Sequence, residues 1–210
     1  MQLNKCSRLF LLLPIFFISC QSNEENTKER QDLLFKEHNS EILSDISKML
    51  VADQRLRTYY SYGATDPNAI DSIRHALAEK GINADSIAAV GSLLPPPVLD
   101  SVSLLLRTQD TRHTKKAIEI IKKYGFPTSE RIGDSSSNID PTLLFQHADT
   151  SYKKEILALL YREIRFGRID TNCLEGIKWH LNGRVGIPDL KGVTIVHVDI
   201  KTGKADTIRN

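Results

Sequence analysis

Apolar residues recur along most of this chain at steps of three and four, the period of an α-helix with one buried face; only near the C-terminus does the pattern change to alternation. The first stripe runs through Leu34, His38, Ile42, Ile46, Met49 and Leu50. The same steps carry it on to Asp53 and Arg57, an acid and a base four residues apart in the order that favours pairing. A carboxylate on a buried face needs a partner. The pair therefore reads either as part of a site or as a solvated ion pair on a last helical turn. Gly63, Asp66 and Pro67 close the element.

Asp66-Pro67-Asn68 opens a second helix over 68–80, with Ala69, Ile73, Ala76 and Leu77 as a modest apolar face and Gly81 as its stop. His75 on it reads as a surface or satisfied core residue. Residues 83–94 predict a short third helix, broken by Pro95-Pro96-Pro97 as a rigid connector. The longest helical stretch is Val98 to Tyr124. Val98, Val102, Leu105 and Leu106 lie ahead of a polar middle, and Ala117, Ile120, Ile121 and Tyr124 behind it. Asp110 and His113 share the stripe used by those apolar residues. Either His113 points inward, or the helix is interrupted near 108–110 and Asp110 caps a second one.

Gly125-Phe126-Pro127 ends this stretch. Gly133 to Asn138 reads as a polar loop, without the lysine and preceding strand that a phosphate loop requires. Asp140 and Pro141 then start a helix carrying Leu143-Leu144-Phe145-Gln146-His147-Ala148-Asp149. His147 follows Leu143 and Leu144 by four and three residues, which places its imidazole on the core face. Asp149, two residues on, cannot lie beside it within a regular helix. Helices over 150–166 and 170–181 follow, the latter burying Cys173, Leu174 and Ile177. A lone cysteine on an apolar stripe is usually an inert small hydrophobe. The alternation from Val193, the turn at 201–204 and the weaker run 205–209 predict a hairpin over 193–208, which must pack on helices to be stable. The expected class is mainly α: a single helical domain of about six to seven helices with a small C-terminal β-hairpin.

The first residues follow a different logic. Lys5 and Arg8 form a basic start, Leu9 to Ile18 an apolar run too short to span a bilayer, and Ser19-Cys20 its end. Phe17-Ile18-Ser19-Cys20 resembles the lipobox of bacterial lipoprotein signals, with Phe17 where the pattern prefers leucine; the alternative is an ordinary secretory signal. The resemblance implies cleavage after residue 19 and acylation of Cys20. Residues 1–19 are then a signal peptide, 20–32 the lipidated cysteine and a flexible tether (Gln21 to Arg30 is polar throughout), and 33–210 the domain. The protein is expected in the bacterial cell envelope, anchored to the membrane and facing the periplasm or the outer surface.

Charge narrows the partners. Loss of Lys5 and Arg8 lowers the 28 basic residues to the number of acidic ones, 26. A neutral chain without a basic cluster argues against nucleic acid. Of three cysteines, Cys6 is lost and Cys20 acylated, so no intramolecular disulfide is expected. No cofactor fingerprint and no metal-ligand spacing is present, so no cofactor and no metal is expected.

Asp53-Gln54-Arg55 with Arg57, Gly125-Phe126-Pro127, Gly133 and Gln146-His147-Ala148-Asp149 resemble, in that order, the conserved steps of an uncharacterised bacterial domain-of-unknown-function family often found in lipoproteins. Its members carry D-Q-x-x-R-like, Y-G-W/F-P and Q-H-A-D steps. The resemblance covers about residues 40–200. It departs at two places: Ile177-Lys178 or Trp179-His180 stands where the family has an acid-arginine pair, and Lys191-Gly192-Val193-Thr194 where it has Y-G-T-Q.

Two functional readings result. One is a binding or interaction module for an unknown envelope ligand or protein, with Gln146, Asp149, Asp110 and His113 lining a polar pocket. The other is an envelope hydrolase with His147 as general acid/base, Asp53 or Asp110 orienting it and Gln146 and Arg57 holding an anionic or polar group. Against the second, no G-x-S-x-G, H-E-x-x-H or Cys-His signature supplies a nucleophile. A third possibility is that the polar residues only satisfy helix ends.

Overall fold

A computed structural model describes residues 13–85, 91–132, 141–185, 194–198 and 205–209. The protein is mainly helical. Helix α1 spans Leu13–Tyr62, α2 Pro67–Ala78, α3 Pro96–Tyr124, α4 Ser129–Ile132, α5 Leu143–Gln146, α6 Lys153–Arg165 and α7 Thr171–Leu181. Strands Thr194–Val198 and Ala205–Arg209 pair antiparallel, Val196 opposite Thr207; the expected turn between them lies outside the described residues. Among the described residues, no helix is long and apolar enough to cross a membrane.

Helices α1 and α3 form the main packed pair, and α5, α6 and α7 close on them. Phe35, Ile42, Ile46, Met49 and Leu50 from α1 meet Ala117, Ile118, Ile120 and Ile121 from α3, with Phe126, Phe145, Ile156, Leu160, Leu174 and Ile177 completing the core. Burying each such side chain contributes roughly 1.5–3 kcal/mol.

Helix α3 is continuous, so Asp110 lies mid-helix and caps nothing, and His113 is buried. The proline triplet does not form a connector: Pro96 and Pro97 are the first helical residues, where a missing N–H costs nothing, and Pro95 precedes them. The helix expected over 83–94 stops short, since residues 91–95 are non-helical. There the Leu93 N–H donates to the Ser61 carbonyl at 2.9 Å and ties this segment to the end of α1; residues 86–90 lie outside the described ones. Val98 and Leu105, expected in the stripe of α3, are exposed, whereas Val102 and Leu106 are buried. His75 is on the surface, its ring near Glu79 at 3.5 Å.

The largest departure concerns the flexible tether expected over 20–32. These residues continue α1 as helix. Glu24 pairs with Arg165 at 2.9 Å, and the Lys28 carbonyl accepts from Arg168 Nη2 at 3.2 Å. Gln31 is 3% exposed and donates to the carbonyls of Ile121 and Lys122 at 3.4 and 2.8 Å, in the last turn of α3, where the Ile121 carbonyl also accepts from the Gly125 N–H and Arg162 Nη2. Gln31 also lies on the stripe of Phe35 and Ile42, which polar composition alone obscured.

Candidate functional site

Two polar centres lie inside the helical packing, and they differ in how completely they are satisfied. The first was not foreseen. Glu163 on α6 is fully buried and accepts from the Phe126 N–H at 2.8 Å, from Arg168 Nη1 at 2.9 Å and from Arg162 Nε and Nη2 at 2.9 and 2.7 Å. Arg168 also donates to Gln31 Oε1, Asp32 Oδ1 and the Lys28 carbonyl at 2.8, 2.9 and 3.2 Å. Arg131 bridges Asp32 to the carbonyls of Tyr124 and Phe126 and stacks on Phe35, 3.9 Å from the ring centre. Burial pushes the Asp32 carboxyl up, but the Lys28 hydrogen bond and the Arg168 and Arg131 charges outweigh it and hold the group below its usual range. The Gly125-Phe126-Pro127 step is therefore a backbone surface read by three charged side chains. Gly125 has φ +78, and a Cβ there would lie 2.1 Å from Arg168 Nη1. Only glycine fits.

The second centre gathers the residues singled out by the stripe argument. Asp53 on α1 is 2% exposed, and Arg57 Nε donates to both its oxygens at 3.1 Å. Through Nη2 the same guanidinium reaches Asp110 on α3. His113, one turn further along α3, is 4% exposed and feels the charges of Arg112, Asp53 and Arg57. His147 caps the C-terminal end of α5, and its titration is governed by burial and then by Arg57, Asp53, Arg184 and His180. Four chain-distant segments thus meet electrostatically. His180 and Arg184 at the end of α7 were not foreseen; Arg184 Nε donates to His180 Nδ1 at 3.1 Å.

Not every expected member belongs. Helix α5 is a single turn ending at Gln146, because the chain leaves helical geometry at His147 with φ −110 and ψ 6. Asp149 is exposed and accepts from the Ser151 N–H at 2.7 Å, capping the 3-10 turn Thr150–Tyr152. It acts as the N-cap of that turn. Gln146 is half-buried beside His147 in sequence. The Asp140 cap and the loop 133–138 lie outside the described residues. Cys20 falls within the backbone of α1, and its side chain is outside them. Cys173 packs against the core.

Burial raises the Asp110 carboxyl to about 6, Arg57 opposing and Asp53 adding to the shift. Burial, Arg57 and the neighbouring cations lower His147 to about 4 against the pull of Asp53. At neutral pH the centre thus holds two carboxylates, one shared guanidinium and two uncharged imidazoles. Among the described residues, no group of three or more His, Cys, Asp or Glu side chains is placed to hold a metal ion.

These shifts act on stability in opposite directions. The Asp110 contribution is fully present below about 3.8 and is lost as pH rises through about 6; the His147 contribution is present above about 6.5 and is lost as pH falls through about 4. At about 1.4 kcal/mol per unit the two nearly cancel between pH 4 and 6. Relative to the unaltered chain, Asp110→Asn should therefore lose about 2 kcal/mol on going from pH 6.5 to 4.5. His147→Gln should gain a similar amount over the same interval. Urea titrations at both pH values measure this, and parallel pH curves for all three proteins would rule it out.

Neither a family model, nor a curated protein, nor a solved structure matches the chain.

Proposed function

We propose that this chain is a lipid-anchored cell-envelope binding module, held to the membrane through acylated Cys20, with an envelope ligand recognised at the Asp53–Arg57–Asp110–His147 centre. The observation that carries this reading is the pair of opposed shifts. Asp110 and His147 are both held in environments that disfavour their charged forms. A fold that needed only cohesion would do as well with apolar residues there, and perturbed titratable groups gathered from separate segments are the usual mark of a functional site. Asp53, Arg57 and His147, which come from two of the steps behind the family resemblance, are members of this centre.

Binding is favoured over hydrolysis by the state of His147. With a value of about 4 it has no proton to give near neutral pH and is a weak base. In an enzyme built on this centre, Asp110 at about 6 would be the better proton carrier.

The anchor geometry follows from the same reading. Arg165 Nη2 pairs with Glu24 at 2.9 Å, so only Gln21, Ser22 and Asn23 separate the lipidated cysteine from side chains tied to the helical domain. The domain would ride close to the lipid surface. The C-terminal strands are read as the expected hairpin, which needs a further surface to pack on, since an isolated hairpin is marginal.

The test is mass spectrometry of small molecules that co-purify with the detergent-solubilised full chain, alongside His147→Ala. A ligand is expected on the unaltered protein and at least tenfold less of it on the variant, with the melting temperature of the variant within a few degrees. Equal ligand on both, or none on either, would count against the reading. The intact mass of the same preparation reports acylation of Cys20.

A further inference from the structure

Between α1 and α3, beside the second centre, lies a groove of about 320 Å³ whose lining includes Met49, Ala52, His113, Lys48, Arg112 and Lys116. Its size is at the lower end of small-molecule sites. Asp45, the acidic residue of the lining, is engaged by Lys116 Nζ at 3.0 Å. Lys48 and Arg112 are exposed and, among the described residues, form no ion pair. Exposed cations of that kind are ordinary by themselves. What sets this groove apart is the buried wall. His113 is 4% exposed, and its Nδ1 has no hydrogen-bond partner among the described residues. Thr114 Oγ1, in a fully buried residue, and Gln109 Nε2, one turn before His113, are likewise without a partner among the described residues, although neither residue lines the groove. An amide nitrogen can only donate, while a hydroxyl and a neutral imidazole nitrogen can each donate. A buried polar atom left unpaired costs about 1–3 kcal/mol, so His113 marks a place where the groove keeps hydrogen-bonding capacity for something else.

We propose that this groove is the anion subsite of the binding centre, taking a small organic anion whose carboxylate or phosphate is held by Lys48, Arg112 and the imidazole of His113 while its apolar part rests on Met49 and Ala52. The proposal rests on the binding-module reading and names the chemical class of its ligand. Charge supports the assignment: with Asp45 and Lys116 paired, two cations remain at the rim. Burial and the Arg112 charge keep His113 uncharged, so it meets the anion as a hydrogen-bond donor. Asp53, whose charge also reaches His113, is already taken up by Arg57. The groove therefore presents one buried imidazole donor beside exposed positive charge, an arrangement that recognises an oxyanion.

The experiment follows the imidazole nitrogens of the full chain, labelled with ¹⁵N at histidine, during titration with inorganic phosphate and separately with butyrate at constant ionic strength. The expected result is a saturable shift of the His113 Nδ1 resonance with at least one of the two anions, weakened tenfold or more in Lys48→Ala/Arg112→Ala. That variant should melt within a few degrees of the unaltered chain. Tighter binding of phosphate would assign a phosphate ligand, and tighter binding of butyrate a carboxylate. A shift that grows linearly, or one equally strong in the variant, would overturn the proposal. If the co-purified ligand is lost in His147→Ala while His113 ignores both anions, the binding centre stands and the anion subsite falls. If His113 responds as expected but His147→Ala keeps its ligand, the subsite stands and the wider centre falls.

Discussion

Glu163→Ala should destabilise the folded chain by about 3–5 kcal/mol, the range for removing one partner of a buried ion pair. The carboxylate is fully buried and answers four donors: the Phe126 N–H, Arg168 and two nitrogens of Arg162. Its removal leaves Arg168, 4% exposed at the side chain, as a buried cation facing Gln31 Oε1 and a half-exposed Asp32. It also strips the buried Phe126 N–H of its acceptor. Glu163→Gln should cost less, because an amide oxygen still accepts from Phe126. Guanidinium titration followed by the fluorescence of Trp179, the single tryptophan, measures both. A loss under 1 kcal/mol for the alanine variant would show that the network contributes little. The effect should spread, since Arg168 and Arg131 hold Asp32 and the Lys28 carbonyl. Residues 28–32 should loosen together with the Gly125 turn, and a fragment beginning after residue 30 should share part of the defect.

The elements and the second centre were legible in the sequence for one reason. Asp53, Asp110 and His113 continue apolar stripes, and a helix repeats its face every three to four residues whatever the side chain. Gln31 and Glu163 bear the same signature, following the spacing of Phe35 and of Leu159 and Leu160, but Gln31 sits at the end of a polar run that masks the stripe. The role of Gly125 was legible only as a helix stop. Its second role, leaving room for Arg168, depends on an arginine more than forty positions away in sequence. His180 and Arg184 had no local signal at all, because their bearing on His147 arises from the docking of α7 against α5. Asp149 misled for the converse reason. A residue next to a histidine in sequence invites a catalytic reading, while the backbone had a nearer use for its carboxylate.

Arg57→Ala should also cost about 3–5 kcal/mol, for a reason that bears on function. The guanidinium is the shared partner of Asp53 and Asp110, and without it a carboxylate that is 2% exposed has no counter-charge. Arginine here is not replaceable by lysine, which lacks the two-sided geometry needed to reach α1 and α3 at once. The informative comparison is with Asp53→Leu/Arg57→Met/Asp110→Leu, in which all three charges leave together. Apolar replacement of a complete buried ion set is often neutral or stabilising, so this variant should recover to within about 1 kcal/mol of the unaltered chain in a guanidinium titration. It should nevertheless lose the co-purified envelope ligand. Recovery of stability with loss of ligand is what a centre kept for recognition requires. If the triple variant stays as unstable as Arg57→Ala, the charges are holding the α1–α3 register. If it is stable and still carries the ligand, recognition does not pass through this centre.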